Sequence, residues 1–217
     1  MEVEAVIVNY GTPRLTRRAV WSLNSLYPNL DIVVVDNASP DDSVAVLKRE
    51  FGRLAPVRLR ESPVNLHHGP AMDRAVREAV HEWVLLLDSD CVAYRAGFLD
   101  RMLDTARSRE AYMVGEVRSV DGRGFNTLDD DAGHRYVHPK CALVRREKYL
   151  ELPPFEKHGA PCLANAITAA EHGYALVDFP VDDYVFHLGR GTVEEHGYGL
   201  GWRSMAANLK RRLKQLL

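Results

Sequence analysis

The sequence predicts an α/β protein with a mostly parallel central sheet covered by helices on both faces. Short apolar runs such as "VEAVIVNY", "LDIVVVDN" and "WVLLLD" alternate with longer segments whose apolar residues recur at helical spacing. Strands buried on both faces read as unbroken apolar runs, and the helices between them supply the crossovers that parallel strands require. Three of these runs also end in polar side chains: Asn9 and Tyr10, Asp36 and Asn37, and Asp88 to Asp90. In open α/β sheets, ligands bind in the crevice beyond the carboxyl ends of the strands.

Residues 3–10 form the first strand. A helix follows, with Thr12 as its cap, Pro13 at its first position, and Leu15, Ala19, Leu23 and Leu26 on one face. Residues 30–37 form the second strand. The next helix is expected to begin with Ser39 as N-cap and Pro40 at N1, to carry Asp41 and Asp42 in its first turn, and to stop at Gly52. "VRLRES" is a shorter third strand. "GPAMDRAVREAVHE" is a helix that buries Met72, Ala75, Val76, Ala79 and Val80. "WVLLLD" is the fourth strand, and a helix near 97–108 turns Phe98, Met102 and Ala106 inward.

Beyond residue 108 the pattern loosens. "AYMVGEV" and "CALVRREKYLEL" read as a strand and a strand-to-helix piece. "SVDGRGFNTLDDDAGHR" between them has the polar, Gly- and Asp-rich profile of a mobile loop. "APCLANAITAAEHGYALVDFP" reads as a helix ending before Gly173 and then a strand. No Pro/Gly linker divides the chain. It is therefore expected to be one domain, 1–217, with a nucleotide half (about 1–108), a more variable acceptor half (about 109–200) and a basic amphipathic helix at 202–217.

With 217 residues, 46% of them hydrophobic, the chain can bury one large core. Its net charge of −2 argues against nucleic-acid binding, which calls for a basic excess. Cys91, Cys141 and Cys162 show no C-x-x-C spacing, so neither a zinc site nor a disulfide framework is expected. No basic and apolar leader and no long apolar span is visible, and a cytoplasmic location is expected. In the final segment, Arg203, Lys210, Arg211, Arg212 and Lys214 flank an apolar face from Trp202 to Leu216. That composition suits peripheral contact with an anionic membrane, and the same face would serve packing on the domain or dimerisation.

Asp88 and Asp90, with Ser89 between them, raise the central chemical question. Two carboxylates this close repel unless a positive partner lies between them. One answer is that both are solvated in a loop. The other is a divalent ion with a phosphorylated ligand, because Mg²⁺ and Mn²⁺ take carboxylate oxygens and bridge to phosphates. Two further polar strand ends on the same rim favour the second.

Taken together, "VIVNYGTPRLTRRAVWSL", "DIVVVDNASPDDSVAVL", "NLHHGPAMDRAV" and "WVLLLDSD" resemble the nucleotide-sugar domain of family-2 glycosyltransferases, which have the Rossmann-like GT-A fold. The match covers roughly residues 3–106 in order and spacing, and "CALVRREKY" extends it more weakly. The resemblance implies a UDP- or GDP-sugar donor, UDP favoured, with Mn²⁺ or Mg²⁺ as cofactor. Val8, Asn9 and Tyr10 would line the base and ribose, and Asp36 would hydrogen-bond the base. His68 and Gly69 would lie on a loop brought toward the nucleotide. Asp88 would reach the ribose or the metal, Ser89 would lie between, and Asp90 would ligate the metal that bridges the diphosphate. His187, in "VFHLGRGT", would be a further metal ligand, and Arg190 would meet the diphosphate.

The pattern departs from the family at one place. Inverting members carry an acidic pair near the start of the late helix, and here Pro161 and Cys162 stand there. The open alternatives are a base elsewhere (Glu156, His158 or an acid of Asp129 to Asp131), a retaining mechanism, or binding without turnover. A phosphatase of the haloacid-dehalogenase type would have its D-x-D on the first strand, and a nucleotidyltransferase would need a Gly-rich, Lys-containing signature after strand one; neither is present. The acceptor, whether glycan, lipid or small molecule, is not readable from the sequence.

Overall fold

The computed structural model describes residues 2–122, 124, 127, 133–156 and 160–188. Along the chain these form β1 (Val3–Asn9), α1 (Pro13–Leu26), β2 (Asp31–Asp36), α2 (Ser43–Phe51), β3 (Val57–Glu61), α3 (His68–Glu78) and β4 (Trp83–Leu87). There follow β5 (Cys91–Ala93), α4 (Phe98–Ser108), β6 (Ala111–Val120), β7 (His134–Arg145), α5 (Arg146–Tyr149), α6 (Leu163–Glu171), β8 (Ala175–Asp178), a 3₁₀ turn (Val181–Asp183) and β9 (Val185–His187).

Among the described residues, seven strands form one sheet in the order β3-β2-β1-β4-β7-β6-β8. Neighbours run parallel except at β7, which is antiparallel to both β4 and β6. The sheet thus crosses from the N-terminal to the C-terminal half without a break. β5 and β9 form a separate antiparallel ribbon, with Cys91 opposite His187.

Alternation along each strand divides the core between the two faces. Val3, Ala5 and Ile7 of β1 pack with Ala19, Val20 and Leu23 of α1 and with Phe98 and Met102 of α4. Val6 and Val8 of the same strand face Met72, Ala75 and Val76 of α3 and Ala166 of α6. Burial on both sides explains the unbroken apolar runs and fixes the strand ends at one rim.

Several expectations need correction at element edges. α1 buries Thr16 and Val20 beside Ala19 and Leu23, while Leu15 and Leu26 are only partly buried. α2 begins at Ser43, with Asp42 at its cap, rather than at Ser39 and Pro40. Ser39 is instead drawn into hydrogen bonds at the rim. α3 ends at Glu78, and Val80 is 76% exposed rather than buried, because the chain leaves the helix in an extended conformation at Ala79. The loop between β6 and β7 is shorter than the polar composition implied, since Ser119, Val120, His134 and Arg135 pair in the ladder.

Candidate active site at the carboxyl ends of the strands

Two hydrogen-bond networks shape the rim at β1, β2 and β3. In the first, Asn9 donates through Nδ2 to Asp36 Oδ1 (2.7 Å) and to Ser39 Oγ (3.0 Å), and its Oδ1 accepts from Thr16 Oγ1 (2.6 Å). Ser39 Oγ donates to Asp36 Oδ1 (2.6 Å) and accepts from the Gly11 N–H (2.9 Å), while the Ser39 N–H reaches Asp36 Oδ2 (3.1 Å). Asp36 is 1% exposed, so its carboxylate holds the β1 and β2 ends together. Val8 and Asn9 are buried and Tyr10 half-buried.

The second network is built on Asn37. Its Oδ1 accepts from the Leu66 N–H (2.9 Å), and its Nδ2 donates to Asn65 Oδ1 (3.0 Å) and to the His67 carbonyl (3.3 Å). These bonds hold His67 at φ 68° and ψ 170°, a region that non-glycine residues avoid. The next residue, His68, places Nε2 3.2 Å from Asp88 Oδ1. Gly69 packs so closely on the Glu156 carbonyl that an added Cβ would lie 1.6 Å from its oxygen. His68 and Gly69 thus stand on the first turn of α3 rather than on a loop, and Glu156 is brought beside that turn with its side chain exposed.

The turn after β4 is fixed by Lys140 of β7. The Lys140 carbonyl accepts from the Asp88 N–H (2.9 Å) and from the Cys91 thiol (3.4 Å), and the Cys91 N–H closes the turn on the Asp88 carbonyl (3.0 Å). The Lys140 side chain is held by Glu116 Oε2 (2.5 Å) and Asp182 Oδ1 (2.6 Å). Asp90 is 8% exposed, and its Oδ1 lies 3.2 Å from His187 Nε2. The Leu188 N–H donates to the Asp90 carbonyl (3.0 Å), which fastens the end of β9 to the same turn. Ser89 is buried between the two acids.

The charges follow from these contacts. Burial opposes ionisation of Asp88, but the His68 hydrogen bond and the nearby His68, His138 and His187 outweigh it and hold the carboxyl below its ordinary range. Burial likewise works against the His68 cation, and the Asp88 bond with the Asp88 and Asp90 charges lifts it above the ordinary value. The Asp90 bond raises His187. His138 is pushed down to about 4, by burial first and by the Arg118 charge second.

Asp90, Cys91 and His187 offer ligand atoms within 4.8 Å of one another. A carboxylate oxygen and an imidazole nitrogen suit Mn²⁺, and the carboxylate suits Mg²⁺. The Cys91 thiol does not join them, because a soft sulfur suits neither Mn²⁺ nor Mg²⁺, and it already donates to the Lys140 carbonyl. Asp88 stands outside this group, against His68. The residues therefore fit a divalent ion through Asp90 and His187.

Residue by residue, the structure brings Asn9, Tyr10, Asp36, Asp88, Ser89, Asp90 and His187 to one rim, with His68 and Gly69 beside them. His158, Arg190, Asp129 to Asp131 and the 202–217 segment lie outside the described residues. The sequence puts Asn37 on the rim without a role of its own, and gives no part in the site to Ser39, His138 or Lys140. Asn37 follows β2 directly, which is a usable signal, whereas Ser39 lies three residues beyond the strand and also fits a helix cap.

A family model described as Glycosyl transferase family 2 matches residues 4–186. The chain belongs to that family, a family of transferases, and its fold is GT-A. The mannosyltransferase PcManGT from Pyrobaculum calidifontis, solved in complex with GDP-Man and Mn²⁺, is similar at 20% identity with a TM-score of 0.64, over 82% of this chain and 55% of its own. TarS 1-349 of S. aureus, solved with UDP-GlcNAc, is similar at 16% identity with a TM-score of 0.64, over 85% of this chain and 58% of its own. At such identities the likeness is one of fold, and the chain spans little more than half of either neighbour. No curated protein matches the chain. Among the described residues, no helix is long and apolar enough to cross a membrane.

Proposed function

We propose that this protein transfers a sugar from a nucleoside-diphosphate sugar, UDP-linked in preference to GDP-linked, to an acceptor hydroxyl with the help of Mn²⁺ or Mg²⁺. The observation that carries this is the Asp90–His187 pair at the carboxyl end of β4, one carboxylate and one imidazole converging where phosphates bind in such folds. Neighbours of the same fold are solved with GDP-Man and Mn²⁺ and with UDP-GlcNAc, which supports a nucleotide-sugar donor. Asp90 and His187 would hold the ion, and Asp88, fixed by His68, would face the ribose or the ion. A bound divalent ion supplies Lewis-acid stabilisation of the departing diphosphate. Val8 to Tyr10, Asp36, His68 and Gly69 would shape the nucleotide pocket, and Arg190 would meet the diphosphate.

Deprotonation of the acceptor has no base at the family's usual place. Pro161 cannot serve, and Cys162 is fully buried with its thiol pushed up, first by burial and then by the Asp88 charge. Glu156, a few residues earlier and against Gly69, is the described candidate, with His158 beside it in sequence. Retention of configuration, which needs no such base, is the alternative we favour. The same absence supports a second reading, a protein that binds nucleotide sugar without turning it over.

A thermal-shift and calorimetric screen of UDP, GDP, UDP-glucose, UDP-N-acetylglucosamine and GDP-mannose, with Mn²⁺, Mg²⁺ or chelator, tests the reading. Metal-dependent stabilisation by one nucleotide and its sugar is expected; equal affinity with metal and with chelator overturns it. NMR of the product's anomeric configuration, alongside Glu156→Ala, decides the mechanism, because loss of a true base costs about 10²–10⁴-fold. A cytoplasmic site of action, with membrane or dimer contact through residues 202–217, goes with this reading. Liposome co-sedimentation unchanged by deleting that segment would remove the membrane contact.

A further inference from the structure

His138 lies at the rim, where its one part described so far is to favour the Asp88 carboxylate. Along the β4–β7 ladder, Cys141 stands opposite Leu87, and the Lys140 carbonyl binds the Asp88 N–H. His138 lies two residues before Lys140 on β7, past the end of β4 and on the side of the turn that carries Asp90 and His187. Its ring is tilted beside that of His187, 6.2 Å between centroids, and meets the edge of Tyr136 at 6.3 Å. It is half-buried and is not among the grouped metal-ligand atoms.

The hydrogen bonding of this ring fixes its chemistry. The Lys140 N–H donates to His138 Nδ1 at 3.2 Å. A proton on Nδ1 would face that donor, so the ring proton belongs on Nε2. Among the described residues no hydrogen bond to Nε2 is present. His138 therefore keeps an Nε2–H donor, and no free ring lone pair, on a ring that stands beside His187.

The strand order says what lies beside this ring. From Asp36 on β2, through Asn9 on β1 and Asp90 after β4, to His138 on β7, the rim passes four adjacent strands. Strands lie about 4.8 Å apart, so this path covers about 14 Å. With the nucleotide-sugar reading above as its basis, a base and ribose over β2 and β1 and a diphosphate at β4 leave the sugar itself over β7. We infer that His138 is a specificity-determining residue, whose Nε2–H donates to a hydroxyl oxygen of the sugar that the nucleotide carries.

Calorimetry on the full chain with Mn²⁺ tests this, using the nucleotide sugar of the above panel that binds wild type most tightly and its parent UDP or GDP. His138→Ala is expected to weaken the nucleotide sugar about ten-fold, the value of one hydrogen bond, and to leave the parent nucleotide unchanged. His138→Gln, which offers an N–H at the place of Nε2, should recover most of the loss. Equal losses for the sugar and the parent nucleotide, as a packing or metal-holding role would give, overturn the inference. So does no loss for either, or a Gln variant as weak as the Ala variant. Wild type that binds nothing in the panel is a separate outcome, which removes the functional reading and this inference with it.

Discussion

His187 Nε2 lies 3.2 Å from Asp90 Oδ1, although β9 and the turn after β4 belong to distant parts of the chain. The β5–β9 ladder sets His187 opposite Cys91, and the Leu188 N–H on the Asp90 carbonyl locks that register. A backbone ladder, and not side-chain chance, produces the pair.

If this pair holds the ion, changing either member should strike metal and nucleotide together. Asp90→Ala is expected to abolish the metal dependence of UDP or GDP binding without unfolding the protein. His187→Ala should weaken metal affinity by more than the about 10–100-fold that changes outside a ligand set already cause, and lower turnover with it. Calorimetry with and without Mn²⁺ measures both, and nucleotide binding indifferent to either change would reject the pair as ligands.

The backbone at His67 makes a prediction of the opposite sign. At φ 68° and ψ 170° a side chain costs about 1–3 kcal/mol, which glycine avoids at the expense of a looser unfolded chain. His67→Gly should stabilise the fold by about 1 kcal/mol and raise Tm by about 2–4 °C for a chain of this size. A thermal melt below that of wild type would show that His67 contributes more than the strain it carries.

Gly69 allows no such freedom. A Cβ there would meet the Glu156 carbonyl oxygen at 1.6 Å and its carbon at 2.7 Å, and backbone cannot swing aside as a side chain would. Gly69→Ala should cost about 2–4 kcal/mol and disturb the His68–Asp88 contact. Denaturant titration reads the first effect and nucleotide affinity the second.

Stability toward acid should depend on Glu116. Burial opposes its charge, but hydrogen bonds from Arg118 and Lys140 hold its pKa at about 2, against an ordinary 4.5. The folded state therefore gains from the carboxylate above pH 4.5, and that gain fades as pH falls toward 2. Glu116→Gln is expected to lose about 1–2 kcal/mol at neutral pH, discounted for the part of the side chain that meets solvent, and to match wild type near pH 2. Urea melts across that range give the answer; a constant gap would mean a role other than charge.

Much of this site was legible before any coordinates. Buried strands advertise themselves as apolar runs, so the ends of β1, β2 and β4, and the polar residues on them, could be read off directly. His187 is singled out by the resemblance together with its place at a strand end before a Gly-rich turn, and the sequence gives no sign that its strand pairs with Cys91–Ala93. Ser39 was misread because a serine before Pro-Asp-Asp has two good uses, and only the fold decides that Asp36 and Asn9 take it. Val80 was placed inside because helical spacing continues past the point where α3 stops. In the sequence His138 reads as an ordinary polar residue and Lys140 carries no signal, because their place at the rim comes from β7 lying beside β4, a pairing across half the chain that periodicity cannot reveal.

The fastening of β9 to the turn after β4 also bears on how the protein is made. On the ribosome, β1 to β4 and their helices emerge well before β9, and contacts between distant segments form late. A nascent chain that already shows its acidic turn would lack the histidine, so the Asp90–His187 contact is completed only when nearly all of the described fold has left the exit tunnel. On the reading proposed above, truncated products ending before Val185 would be poor traps for metal or nucleotide.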